Sequence, residues 1–102
     1  MSFIAESWKR YQEADWIEKD AYLISNYGRI KSLKTSPVEG VLIKGGNLNG
    51  YLVVHATRKN GKRISRYVHK IVASLFLEES EDKKYVLHLD FNKKNNHISN
   101  LM

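Results

Sequence analysis

The residues best suited to chemistry lie near the C-terminal end of the sequence, where a histidine precedes a run of asparagines. His88 follows an alternating apolar stretch, and a turn rich in Asn and Lys separates it from an apolar restart at Ile98 and Leu101. This pattern predicts a strand, a tight loop and the beginning of another element. Asparagine amides can hold loop backbone groups and tolerate unusual φ and ψ angles. A histidine at a strand end facing such a loop is therefore a candidate catalytic group.

The charge balance indicates the kind of partner. The chain has 102 residues, with 17 Lys and Arg against 11 Asp and Glu, a formal net charge of +6 and a pI near 9.6. Between Gly28 and Lys70 the only acidic residue is Glu39. A small domain with this uneven excess of cations is a candidate for binding nucleic acid or another polyanion. The alternative from charge alone is a solvated, Lys-rich surface.

Composition excludes several classes of protein. The chain has no cysteine, so disulfides and Cys-based zinc sites are excluded. No apolar run approaches the length of a membrane span, and no signal peptide is recognised. We therefore expect a cytoplasmic protein with no membrane partner. A chain this short forms one domain, or two small modules that share a core.

Periodicity predicts an α+β fold of small antiparallel hairpins with a short helix. The predicted strands cover residues 22–25, 29–33, 41–44, 51–57 and 63–68, and the predicted helix covers residues 69–77. Asn60-Gly61 between two strand-like runs is a strong hairpin signal. The glycines at 45 and 46 are interpreted as turn residues, and residues 1–14 show no clear period. We expect His69, at the start of the helix, to be structural.

The stretch beginning at His88 resembles a known family. The spacing His88-x-Asp90-x-Asn92-x-x-Asn95-Asn96-x-x-x-Asn100-Leu101 is similar to the HNH motif of phage and intron homing endonucleases. Residues 16–33 resemble the NUMOD-type DNA-binding module, and the segments at 50–53, 60–62 and 68–76 follow in the order that these proteins use. The resemblance implies two modules, a NUMOD-like DNA-binding module at 1–48 and an HNH-like module at 49–102.

The same resemblance implies roles for individual residues. In HNH endonucleases a histidine acts as general base on water, and one divalent metal stabilises the leaving oxygen. His88 would be that base. Asn100 would be a supporting residue that braces the loop and the histidine, and Asn96 a supporting residue that shapes the turn. The implied partner is double-stranded DNA.

Two departures from the family pattern concern the metal, and a third, at Phe91, concerns the loop. Leu87 stands where the family has a metal-binding side chain, and Phe91 replaces the usual turn glycine. The sequence reaches Met102 before the helix that carries the last motif residue. We therefore expect an incomplete ββα-metal motif, with Asp90 as the one remaining candidate ligand and Mg²⁺ as cofactor only if the protein is active.

The sequence thus leaves three functional hypotheses open. The first is a DNA-binding protein with an incomplete nuclease centre, the second an active nicking endonuclease, and the third a scaffold reused to bind another protein. DNA phosphates would be contacted by cations from the following set: Arg29, Lys31, Lys34, Lys44, Arg58, Lys59, Lys62, Arg63, Arg66, Lys70, Lys93 and Lys94. His55 and His97 are interpreted as ordinary surface or strand residues.

Overall fold

The computed structural model describes residues 5–76, 88, 93, 95–97 and 101. Within these residues the chain forms two antiparallel sheets and one short helix. The α+β class and the antiparallel hairpins predicted from the sequence are therefore confirmed. The predicted ββα motif falls mainly outside the described residues. Among the described residues, no helix is both long and apolar enough to cross a membrane.

The first sheet is built from consecutive strands. They are β1 (Trp8–Tyr11), β2 (Tyr22–Ser25), β3 (Ile30–Ser32) and β4 (Val41–Ile43), in that spatial order. The sequence predicted the last three, whereas β1 was missed because its own residues show no clear alternation. Its pairing with β2, which sets Trp8 opposite Ser25, makes it a strand.

Strand register gives the first sheet one apolar face. Ile24 lies opposite Ile30, and Ile30 lies opposite Ile43. Because side chains alternate between the two faces of a strand, these three residues point to the same side. Ile24 and Ile30 are fully buried there. This face packs against the rest of the molecule.

The turn between β2 and β3 is fitted closely to the C-terminal part of the chain. The hydroxyl of Ser25 accepts hydrogen bonds from the backbone N–H groups of Tyr27 and Arg29, both at 3.1 Å. Gly28 has φ of +81°, and a Cβ atom added there would lie 2.5 Å from the Cβ of Asn96. Only glycine fits a position with both features. The turn therefore supports the loop that carries Asn96.

The second sheet and the helix follow. They are β5 (Gly46–Leu48), β6 (Tyr51–Thr57), β7 (Arg63–Tyr67) and α1 (Val68–Phe76). The interpretation of residues 45 and 46 as turn glycines was wrong for Gly46, which lies in an edge strand opposite Val53. A Cβ on Gly46 would lie 2.6 Å from the Nε2 of His55. The absence of a side chain therefore allows this edge strand to pair.

The hydrophobic core takes residues from both sheets and from the helix. Its buried members are Ile24, Ile30, Val54, Val68, Ile71, Val72 and Leu101. The hydroxyl of Tyr22 also donates to the backbone carbonyl of His55, which links β2 to β6. Burying large aliphatic side chains stabilises a fold by about 1.5 to 3 kcal/mol each. The division into modules at residues 48 and 49 stays a prediction.

Candidate catalytic centre and nucleic-acid interface

His88 and Asn96, two of the three residues predicted for catalysis, are in direct contact. The Nε2 of His88 lies 2.8 Å from the Oδ1 of Asn96, and both side chains are buried. An amide oxygen only accepts hydrogen bonds, so Nε2–H of His88 donates. In the neutral ring, Nδ1 then carries the lone pair. Asn96 therefore orients His88 so that Nδ1 is the nitrogen able to take a proton.

The backbone also fixes the position of His88. His88 forms an isolated antiparallel bridge with Leu101, which is a buried member of the core. Asn96 in turn rests on the β2–β3 turn at Gly28. The histidine is thus held by its main chain on one side and by its side chain on the other.

A cluster of aromatic rings surrounds His88. His69 lies 4.9 Å from it between ring centroids and Tyr51 lies 6.0 Å from it, while Tyr67 lies 5.4 Å from His69. Tyr51 is at the start of β6, Tyr67 at the end of β7 and His69 in the first turn of α1. We call these four residues the ring cluster. They bring three elements to one place, and the strand register puts the two tyrosines on the same face of the hairpin.

The ring of His69 is kept uncharged. Burial, with smaller contributions from His88 and Lys70, lowers the pKa of His69 from 6.5 to about 4. Its Nδ1 is buried and has no hydrogen-bond partner within the part of the chain that the structure describes. At neutral pH His69 therefore packs as a neutral ring beside His88. Its structural role stays a prediction.

We expect the ring cluster to make stability depend on pH between about 6.5 and 4. An unfolded histidine titrates near 6.5 and native His69 near 4, so in this window the unfolded state binds more protons. The contribution of His69 is complete above pH 6.5 and is lost as the pH falls toward 4, by about 3 kcal/mol at most. Urea unfolding at pH 7, 6 and 5 measures this change.

The matched control for this prediction is His69→Phe, which keeps an aromatic ring and removes the titrating group. Its free energy of unfolding should fall less than that of the parent between pH 7 and 5. The carboxyl groups of Glu6 and Glu13 also have lowered pKa values, through hydrogen bonds from Arg29 and Arg66, but both proteins keep them. If the free energy of unfolding falls equally with pH in the two proteins, the pH dependence does not come from His69.

The described residues do not by themselves fit a divalent metal. No group of three or more His, Cys, Asp or Glu side chains lies close enough to hold an ion within the described part of the chain. The oxygen of Asn96 is already occupied by His88, whereas Mg²⁺ prefers several oxygen ligands. The candidate ligand Asp90 lies outside the described residues, as do Leu87, Phe91, Asn100 and Met102.

Two cations flank the ring cluster. The ammonium group of Lys93 lies 4.7 Å from the ring centroid of Tyr51 and donates to the carbonyl of Asn49 at 3.3 Å. The ammonium group of Lys70 lies 5.5 Å from the ring centroid of Tyr67. Both were predicted to contact DNA. Positive charge thus lies beside two rings of the ring cluster.

Three of the predicted DNA-binding arginines are engaged in ion pairs. Arg58 pairs with Asp15 at 3.0 Å, Arg66 pairs with Glu13 at 2.6 Å, and Arg29 pairs with Glu6. The first two join the segment between β1 and β2 to the β6–β7 hairpin. These arginines are therefore partly neutralised and serve the fold. Their contact with DNA phosphates stays a prediction.

The tip of the β6–β7 hairpin keeps its positive charge. Lys59, Lys62 and Arg63 are exposed, and no ion pair involves them among the described residues. The turn is closed by hydrogen bonds from Arg58 N to Lys62 O and from Gly61 N to Arg58 O, both at 2.8 Å. We call Lys59, Lys62 and Arg63 the hairpin tip.

The remaining candidates are dispersed. Lys34 and Lys44 are exposed on the first half of the chain, and Lys94 lies outside the described residues. Lys31 is placed over the ring of Trp8 at 4.4 Å. His97, interpreted as an ordinary residue, stacks on Tyr27 with centroids 4.4 Å apart. Sequence reasoning missed Tyr51 and Tyr67 beside the centre. A two-residue turn at Asn60-Gly61 would have set Tyr67 opposite Val54, on the other face from Tyr51, whereas the observed register sets it opposite Val53.

Comparison with known proteins gives consistent matches. Residues 6–57 match the model of the NUMOD4 motif. Two HNH endonucleases of Acanthamoeba polyphaga mimivirus are similar, one 37% identical over 78% of this chain and one 29% identical over 95% of it. The chain spans 23% of the length of each.

A solved structure is similar as well. It concerns DNA binding and cleavage by the HNH homing endonuclease I-HmuI, and it matches with a TM-score of 0.64 and 31% sequence identity. The match covers 91% of this chain and 50% of that chain. The resemblance inferred from the sequence motifs is confirmed by these matches.

Proposed function

We propose that this chain, which belongs to the NUMOD4 motif family, is a DNA-binding protein of the HNH homing-endonuclease type. The observation that carries the proposal is the position of the cations at the two ends of the β6–β7 hairpin. The hairpin tip bears three cations at one end, and none of them forms an ion pair with a residue that the structure describes. Lys70 and Lys93 flank the ring cluster at the other end.

The dimensions of the hairpin suit a duplex. A two-stranded ribbon fits the major groove of B-DNA, and phosphates occur about every 1.7 Å along the helix axis when both strands are counted. β6 has seven residues, which at about 3.3 Å each extend for roughly 20 Å. A duplex lying along the hairpin can therefore contact both groups of cations. It would also bring a phosphate close to His88.

The ion-paired arginines have a different task in this proposal. Arg58 and Arg66 attach the hairpin to the loop that carries Glu13 and Asp15. They keep the ribbon in a fixed orientation, and so they contribute less to phosphate contact than the hairpin tip. This preorganisation lowers the cost of binding, because the ribbon does not have to be ordered by DNA.

The test is the salt dependence of duplex binding. If about five phosphates are neutralised, log K should fall with log salt with a slope of about −4 to −5. Fluorescence anisotropy with a labelled duplex between 50 and 200 mM salt measures the slope. An affinity insensitive to salt, or none near physiological salt, would refute the proposal and favour the protein-interaction hypothesis.

We further propose that the metal centre is incomplete, so that binding occurs without cleavage. Leu87 offers no donor atom, and the described residues around His88 supply too few oxygens for Mg²⁺. A second candidate function, nicking of DNA, is favoured by one observation. Asn96 accepts from the Nε2–H of His88, which leaves Nδ1 as the basic nitrogen of the neutral ring.

A plasmid assay separates these two functions. Supercoiled plasmid is incubated with the protein and Mg²⁺ or Mn²⁺, with EDTA and His88→Ala as controls. We expect no nicking from a protein that still binds duplex DNA. Nicking that requires both the metal and His88 would contradict the incomplete centre and identify His88 as the general base of an active enzyme.

A further inference from the structure

A concave surface on the first half of the chain is lined by none of the ring-cluster residues. It is a cleft of about 590 Å³, lined by residues of β1, of the loop before β2 and of the connection after β3. Ligand sites of proteins generally enclose about 300 to 1,000 Å³. The cleft is therefore large enough for a small molecule.

The floor of the cleft is apolar and its walls are held in place. Ala21 and Leu33 form the buried part of the floor, and the N–H of Leu33 donates to the carbonyl of Ala21 at 2.9 Å. The side-chain amide of Gln12 donates to the carbonyls of Ile17 and Glu18 at 3.2 and 2.9 Å. These bonds connect the elements around the cleft, so the site exists before a ligand arrives.

The rim of the cleft is positively charged. Arg10, Lys19 and Lys34 line it and are exposed, and Glu18 is the single acid among the described residues that line it. None of the three cations forms an ion pair with any residue that the structure describes. Arg10 donates to the side-chain oxygen of Gln12, which is neutral, so no described acid pairs with its charge. Among the described residues, the cleft therefore combines an apolar floor with a rim of three cations and one carboxylate.

We propose that this cleft binds a single nucleotide unit. Its phosphate would contact Arg10, Lys19 and Lys34, and its base would cover the apolar floor at Ala21 and Leu33. A multiply charged phosphate matches three cations on separate segments better than a monocarboxylate does. The unit can come from a free mononucleotide or from the 5′-phosphorylated end of a DNA strand. The proposal does not rest on duplex binding by the β6–β7 hairpin.

Calorimetric titration of the full chain with dTMP, thymidine and inorganic phosphate tests the chemistry. We expect dTMP to bind at least tenfold more tightly than either thymidine or phosphate, because only dTMP contacts both floor and rim. Lys19→Gln with Lys34→Gln should weaken dTMP binding at least tenfold. Lys44→Gln, which removes an exposed cation that does not line the cleft, should leave it unchanged.

Several outcomes would overturn the proposal. Equal affinity for dTMP and phosphate would mean that the cleft attracts anions without holding a base. A loss in Lys44→Gln about half as large in log affinity as that in the double variant would mean that net charge alone matters, since one charge is removed instead of two. Absence of dTMP binding would remove the site. All these substitutions are at exposed lysines, so the variants are expected to fold.

Competition identifies the source of the nucleotide. A short single strand with a 5′ phosphate is compared with the same strand carrying a 5′ hydroxyl, each added to the dTMP complex. Displacement by the phosphorylated strand alone supports a strand end as ligand. If neither strand displaces dTMP, the result supports a free nucleotide as the ligand. Equal displacement of dTMP by both strands contradicts a site that recognises the phosphate. A duplex with closed ends, titrated in parallel, measures duplex binding by the β6–β7 hairpin separately.

Discussion

Replacing Lys59, Lys62 and Arg63 together by glutamine is expected to weaken duplex binding on the order of 100-fold at 0.1 M salt. These residues form the exposed hairpin tip, and no ion pair involves them among the described residues. Each phosphate contact contributes about 0.9 to the salt slope, so the loss of three should make the slope shallower by about 2.7. Anisotropy titrations at several salt concentrations measure both quantities.

The control for the hairpin variant removes the same charge elsewhere. Lys19→Gln, Lys34→Gln and Lys44→Gln together change three exposed lysines of the first half of the chain. With a dumbbell duplex that has no strand ends, this variant should lose less than about fivefold, since surface charge acts weakly beyond the Debye length. Equal losses in the two triple variants would contradict a duplex seated on the hairpin.

Gly28→Ala is expected to destabilise the protein by about 3 to 4 kcal/mol. The backbone there has φ of +81°, and the new Cβ would lie within 3.0 Å of three atoms of Asn96, two of them backbone. Either the turn or the loop at residues 95–97 has to move. Because Asn96 orients His88, that movement should also break the hydrogen bond between the two side chains.

Gly61→Ala is the matched control for this substitution. Gly61 has φ of +89°, but an added Cβ meets no atom within 4 Å. Gly61→Ala should therefore destabilise the protein only through its backbone conformation, by about 1 to 2 kcal/mol. Urea unfolding gives both free energies, and the His88 ring resonances report whether its environment changes. Equal losses of unfolding free energy in the two variants would show that the contact between Gly28 and Asn96 is not tight.

The sequence predicted the elements whose residues carry their own periodic signal. The strands at 22–25 and 51–57 and the helix α1 were found because their alternation or helical spacing reflects a buried face. The edge strands β1 and β5 were missed, since pairing with a neighbour rather than local composition makes them strands. Short edge strands are decided by tertiary context.

The candidate site was partly predictable for a similar reason. His88 and Asn96 stand in one local motif, so the sequence pointed to both residues, but their direct contact is known only from the structure, because the resemblance gave the bracing of the histidine to Asn100. The ion pair between Glu13 and Arg66 joins residues 53 positions apart, and nothing local indicates it. The ring cluster and the cleft likewise assemble side chains from separate elements. Their composition becomes visible only when the hairpin register and the packing are known.

The most direct measurement is a map of the amide resonances of the ¹⁵N-labelled protein during titration with a closed-end duplex. The central claim is that DNA lies along the β6–β7 hairpin as far as the ring cluster. We expect the largest shifts at Lys59, Lys62 and Arg63, continuing to Tyr51 and His88. Shifts confined to other surfaces, or no change near physiological salt, would contradict the claim.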